Sequence, residues 1–159
     1  MVTDPKKRRI VQIAHVARDI DRAMKYYYEI LGIGPWEVYT FAPPKLRECT
    51  YMGKPSDATW VLALTWVGEN QLELMQPLSG ETVYTTFLLE KGEGFHHIKE
   101  WVDDCAEVIE AYKRKGIDVI QSGKYEQDEF YYLDTLKTLG VIYEIGNNGE
   151  IGPPERVYP

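Results

Sequence analysis

One unit of structure is written twice along this chain. In the first half the β-rich run 10–17 holds His15, and Asp19 offers a helix N-cap. Ile20, Ala23, Met24, Tyr27 and Leu31 follow at helical spacing until Gly32 stops the helix. Strand-like runs at 36–41, 58–67 and 71–76 come next, the last carrying Glu73. The second half keeps the order. The run 95–101 holds His97, Asp103 and Asp104 supply caps, and Asp104 with Glu107 fits a capping box. Cys105, Val108, Ile109 and Tyr112 form a helical stripe ended by Gly116. Strands at 117–121, 129–133 and 141–145 close this half, the last carrying Glu144. Each half reads β-α-β-β-β, about 10–77 and about 94–147, with a short helix over 81–90 between them. Residues 42–57, broken by Pro43, Pro44, Gly53 and Pro55, read as a loop or a ragged hairpin.

Such units share a core, so the chain 1–159 is expected to form a single domain. The fold class is α+β: two repeats whose curved, mixed sheets enclose one metal-centred cavity. The metal follows from which residues recur. Each half places a histidine on its first strand and a glutamate on its last. Alternation sets Gln71, Glu73 and Met75 on one face of their strand and Leu72, Leu74 and Gln76 on the other. A carboxylate inside an apolar strand is costly unless it is paired or bound to metal. In the first strand, Val11 and Ile13 share the face of His15, while Gln12, Ala14 and Val16 share the other. His96 and His97 are neighbours on one strand, so only one of them is expected to face the cavity. If the concave faces meet, His15, Glu73, His97 and Glu144 converge. Two imidazoles and two carboxylates suit a divalent first-row metal with open positions: Zn, Ni, Co, Mn or Fe.

Composition narrows the partners. Hydrophobic residues make 44% and charged residues 27%, the balance of a water-soluble globular protein. A net charge of −7 argues against nucleic acid and anionic membrane as partners. Lys6-Lys7-Arg8-Arg9 is the exception and reads as a solvated arm. Two cysteines are too few for a disulfide framework, which suits a reducing compartment. No apolar run has transmembrane or signal-peptide character, so a cytoplasmic protein is expected.

Three stretches carry a resemblance to a known family. They are Phe87-Leu88-Leu89-Glu90-Lys91-Gly92-Glu93-Gly94-Phe95-His96-His97-Ile98 with Val102-Asp103-Asp104, then Leu72-Glu73-Leu74-Met75-Gln76-Pro77-Leu78, and Gly140-Val141-Ile142-Tyr143-Glu144-Ile145. They resemble the vicinal oxygen chelate superfamily over about residues 10–145, and most of all its methylmalonyl-CoA epimerase and glyoxalase I-like branch. The resemblance implies metal ligands at His15, Glu73, His97 and Glu144, with His97 chosen over His96. It also implies a homodimer. Two departures stand out. The epimerases carry glutamine in place of Glu73, where bacterial glyoxalase I carries glutamate. The epimerases' other acid–base glutamate lies on a strand that here reads Trp60-Val61-Leu62-Ala63-Leu64, with no carboxylate.

The function so implied is a metal-dependent isomerase, epimerase or lyase acting on a small organic molecule. It moves a proton next to a carbonyl while the metal stabilises the enolate. Glu73 and Glu144 are the candidate catalytic carboxylates. Trp36, Tyr39, Trp60, Trp66, Trp101, Tyr131 and Tyr132 are the aromatic residues expected to line the cavity, with Trp36, Tyr39, Trp60, Trp101 and Tyr131 the candidate substrate-binding residues. No arginine cluster is placed to hold a nucleotide phosphate or the carboxylates of glutathione. An Fe(II) extradiol-type dioxygenase using His15, His97 and Glu144 is one alternative. A non-catalytic resistance-type binding protein is another.

Overall fold

The computed structural model describes residues 4–159. Both repeats form in the expected order. The first is β1 (Arg9–Val16), α1 (Ile20–Leu31), β2 (Trp36–Phe41), β5 (Thr59–Val67) and β6 (Asn70–Ser79). The second is β7 (Gly94–Trp101), α3 (Cys105–Lys113), β8 (Val119–Tyr125), β9 (Asp128–Leu133) and β10 (Ile142–Gly146). Between β2 and β5 lie β3 (Leu46–Tyr51) and β4 (Lys54–Pro55). Helix α2 (Val83–Glu90) links the repeats, α4 (Leu136–Leu139) precedes β10, and β11 (Arg156–Tyr158) ends the chain.

The caps act as the sequence implies. The side chains of Asp19 and Asp104 accept the N–H groups of Arg22 and Glu107. Gly32 takes the left-handed conformation that closes α1, at φ 66°. A reciprocal capping box joins Thr82 and Thr85 at the start of α2.

All strands join one mixed, open sheet in the order β11-β2-β5-β6-β1-β7-β10-β9-β8-β3-β4. The two repeats meet edge to edge where β1 pairs antiparallel with β7. Each first strand also pairs parallel with its own last strand, β1 with β6 and β7 with β10. The β3–β4 hairpin leaves its own repeat and adds to β8 of the other.

The helices decide which face is which. α1 buries Ile20 and Met24 against Trp36, Val38, Ala63 and Leu74 on the convex side. α3 buries Cys105 and Val108 against Leu133 and Ile145 on the same side of the second repeat. The concave side carries the largest apolar cluster, rich in aromatic rings. There Phe41 of β2 stacks on Tyr125 of β8, with ring centroids 3.8 Å apart. That contact draws the two wings together, so the cavity is enclosed within one chain. A strap of residues 147–155 then runs from β10 to β11, which pairs with β2 in the other wing. Among the described residues no helix is long and apolar enough to cross a membrane.

Candidate functional site

Two rows of laterally paired residues cross the concave face, and residues paired side by side project to the same face. One row runs Leu64, Glu73, Ala14, His97, Ile142. The next runs Trp66, Gln71, Gln12, Lys99, Glu144, Tyr132, Gln121. Ala14 is fully buried and offers only a methyl group between Glu73 and His97. The two longer side chains therefore meet above it, and Glu144 reaches them from the neighbouring row.

The ligand atoms of Glu73, His97 and Glu144 all lie within 4.8 Å of one another. His97 Nε2 is 2.7 Å from Glu144 Oε2 and 3.3 Å from Glu73 Oε2. Both of those oxygens are buried, and the His97 nitrogen is the polar atom that faces them. Gln12 Oε1 is 3.4 Å from the same nitrogen, and Gln12 Nε2 donates to Gln71 Oε1 at 2.6 Å and Glu73 Oε1 at 3.3 Å. Lys99 is buried beside them, its Nζ 3.2 Å from Glu144 Oε1 and 3.4 Å from Asp128.

The residues fit a divalent cation. Buried carboxylates are costly unless their charge is answered, and here two carboxylate oxygens and one imidazole nitrogen point at a common centre. Burial works against a charged His97, but the carboxylates of Glu144 and Glu73 outweigh it and raise the ring to about 9. Burial raises Glu144, yet Lys99 and His97 win and hold it below the usual carboxylate range. Asp128 is pushed up to about 6 by burial, against the pull of Lys99. Burial also opposes the Lys99 ammonium, but Asp128 and Glu144 keep it charged. Three carboxylates against one ammonium leave two negative charges. A proton on His97 answers one of them, and a divalent cation answers both.

His96 supports this arrangement. The sheet carries a bulge here: His97 pairs with Ala14 and Phe95 with His15, so His96 has no partner in β1. The bulge overrides simple alternation. His96 turns inward against Tyr84 and Phe87, and its Nδ1 lies 2.9 Å from His97 Nδ1. Burial holds His96 well below its usual value, so it is neutral. Its Nε2–H donates to the Val83 carbonyl at 3.4 Å, and its Nδ1 accepts from His97. This fixes the tautomer that presents His97 Nε2 to the cavity. His96→Phe is expected to weaken divalent-ion binding by roughly 10–100-fold, read by competition with a chromophoric chelator. Unchanged affinity would mean that the ring only fills space.

The cavity above the site has a volume of about 220 Å³. Phe41, Trp60, Phe130, Tyr132 and Tyr84 form its walls, and Asn148 to Ile151 of the strap its lip. Of the five aromatic residues expected to touch substrate, Trp60 is on this wall. Trp36 lies under α1 on the convex face. Tyr131 packs on the α3 side and bonds Glu129. Trp101 lies beneath the Arg9 guanidinium, 4.1 Å from the ring centroid. Tyr39 is buried in the concave cluster, its hydroxyl on Glu37, away from the cavity wall.

His15 is a correction of the same kind. It points to the convex side, where Nδ1 bonds the Tyr27 hydroxyl of α1 and the ring packs edge-on to Phe95. The structure brings Glu73, His97 and Glu144 together and leaves His15 out. The position facing the cavity from β1 belongs to Gln12. Its signal was the alternation of Gln12 with Ala14 and Val16, together with its pairing to Gln71 beside Glu73. Lys99 was legible too, as the residue two after His97. Asp128 had no local signal, whereas Tyr132 and Trp66, both expected among the cavity aromatics, do line it.

Known structures share this architecture. A hypothetical protein, BH1468 from Bacillus halodurans, is 22% identical, with a TM-score of 0.65 over 91% of this chain and 96% of that one. A Streptomyces coelicolor methylmalonyl-CoA epimerase variant, solved with 2-nitronate-propionyl-CoA, is 19% identical, with a TM-score of 0.63 over 92% and 98%. The Mycobacterium tuberculosis methylmalonyl-CoA epimerase is 18% identical, with a TM-score of 0.58 over 86% and 85%. At these identities the likeness is one of fold. No curated protein sequence matches the chain. Residues 11–132, most of the chain, match the model of one family, so the protein belongs to the Glyoxalase/Bleomycin resistance protein/Dioxygenase superfamily.

Proposed function

We propose that the protein is a divalent-metal-dependent isomerase or lyase that moves a proton on the carbon next to a carbonyl of a small organic substrate. One observation carries the reading. Two buried carboxylate oxygens and one imidazole nitrogen converge at the floor of an aromatic cavity, with their ligand atoms all within 4.8 Å of one another. His97, Glu73 and Glu144 would hold the ion, with Gln12 Oε1 as a neutral fourth donor. When bound, the ion supplies Lewis-acid polarisation of the substrate carbonyl.

The two carboxylates divide the remaining work. Glu144 is anchored, with Oε2 at His97 and Oε1 at the Lys99 ammonium. Glu73 is held more loosely, with Oε1 accepting from the Gln12 amide and Oε2 facing His97, each at 3.3 Å, and with no ammonium beside it among the described residues. Glu73 is thus the group free to take the proton and return it. The β5 wall is apolar, formed by Trp60, Leu62 and Leu64. A single base suits transfer between adjacent carbons on one face of the substrate better than exchange between two faces. The cavity volume and its strap suit a compact carbonyl compound. Both repeats of one chain complete the site, so a homodimer would leave it intact.

The dioxygenase alternative required two imidazoles and one carboxylate. With His15 on the convex face the centre has one imidazole, and that alternative is not proposed.

The test pairs metal content with isotope exchange. Protein loaded with Zn, Co, Ni or Mn is incubated in D₂O with small 2-oxo and 2-hydroxycarbonyl compounds, and loss of the carbon-bound proton is followed by NMR. Metal-dependent exchange is expected. Tight metal uptake with no exchange in any of them would make this a binding protein.

A further inference from the structure

We propose that Lys99 determines how many ions the centre accepts: its ammonium fills the second of two cation positions in a three-carboxylate cluster. This rests on the metal reading above and goes beyond it. Glu144 bridges two places. Its Oε2 faces His97 Nε2 at 2.7 Å, where the ion belongs, and its Oε1 faces Lys99 Nζ at 3.2 Å. Both oxygens of Asp128, at 3.4 Å, complete the second place. A carboxylate shared between two cations, with further oxygens on the far one, is the donor pattern of two-ion sites.

The chain makes room for the lysine in a specific way. A Cβ on Gly146 would lie 2.7 Å from Lys99 Cε and 3.2 Å from Nζ, and 2.6 Å from the Glu129 carbonyl oxygen. Glycine at 146 leaves the gap in which the lysine stem runs along β10 to Glu144 and Asp128, beside the close approach of the Glu129 carbonyl. The ammonium is buried at the edge of the cavity, so its charge is spent mainly on those two carboxylates. Without it, Glu144 Oε1 and both Asp128 oxygens form an all-oxygen pocket open to the cavity, which suits a second divalent ion.

The experiment counts ions. Lys99→Met and wild-type protein are dialysed to equilibrium against Mn²⁺ or Co²⁺, and bound metal per chain is measured by mass spectrometry. The variant is expected to bind one ion more than wild type. Adding Asp128→Asn to Lys99→Met is expected to return the count to the wild-type value. An equal count in wild type and Lys99→Met overturns the proposal, and so does an extra ion that persists with Asp128→Asn. Should Lys99→Met need metal to fold, its count is read from the breakpoint of a folding titration followed by circular dichroism. Wild type that binds no ion would overturn the metal reading alone, because the Lys99 proposal is judged by the difference between the chains.

Discussion

Glu73→Gln is expected to slow carbon-bound proton exchange by about 10²–10⁴-fold while the metal stays bound. The amide keeps the shape of the side chain and one oxygen to face His97, but it cannot accept a proton. Gln12 and Gln71 already surround the position with carboxamides, so the new amide has partners. Glu144→Gln is expected to fail differently. It removes the charge that Lys99 and His97 both lean on, so metal content falls along with rate. Metal analysis beside the exchange assay separates the two. If Glu73→Gln keeps both metal and full exchange, Glu73 is not the base.

His97→Ala is expected to abolish tight metal binding and to destabilise the metal-free protein by about 3–5 kcal/mol. It leaves two buried carboxylate oxygens facing each other with neither proton nor ion between them. His15→Ala removes one hydrogen bond to Tyr27 at a partly exposed site, worth about 0.5–1.5 kcal/mol, and should leave metal binding unchanged. The pH dependence has a definite sign. The folded His97 titrates near 9, above the ordinary 6.5, so its contribution to the metal-free protein is full below about 6.5. It is lost as pH rises through about 9. The gap of two and a half pH units corresponds to on the order of 3 kcal/mol. Over the same window the proton leaves Nε2, so divalent-ion affinity should rise by about tenfold per pH unit and then level off. Denaturation midpoints of chelator-treated protein, wild type against His97→Ala, check the first statement. Metal titrations across the window check the second. A wild-type stability that is flat from pH 6.5 to 9 would show that His97 carries no proton in the metal-free state.

The sequence by itself determined the repeat, and with it the fold. Its caps at Asp19 and Asp104, its glycine stops and its period-two strands are local signals, set by hydrogen-bonding groups a few residues apart. It also determined that Glu73 shares a face with Gln71 and Met75, away from Leu72 and Leu74, because the leucines had to meet a helix. What alternation cannot supply is which of two faces becomes concave, and whether a strand keeps its parity throughout. Those depend on where α1 and α3 settle and on the bulge that sets Ala14 opposite His97 and leaves His96 unpaired. One residue of parity separates Gln12 from His15, and the bulge turns His96 inward beside His97. Of the two neighbouring tyrosines expected at the cavity, pairing across the sheet keeps Tyr132, opposite Glu144, and turns Tyr131 away. The charge network of Lys99, Asp128 and Glu144 joins three strands distant in sequence. It exists only because β7, β10 and β9 lie side by side and Gly146 leaves the gap between them.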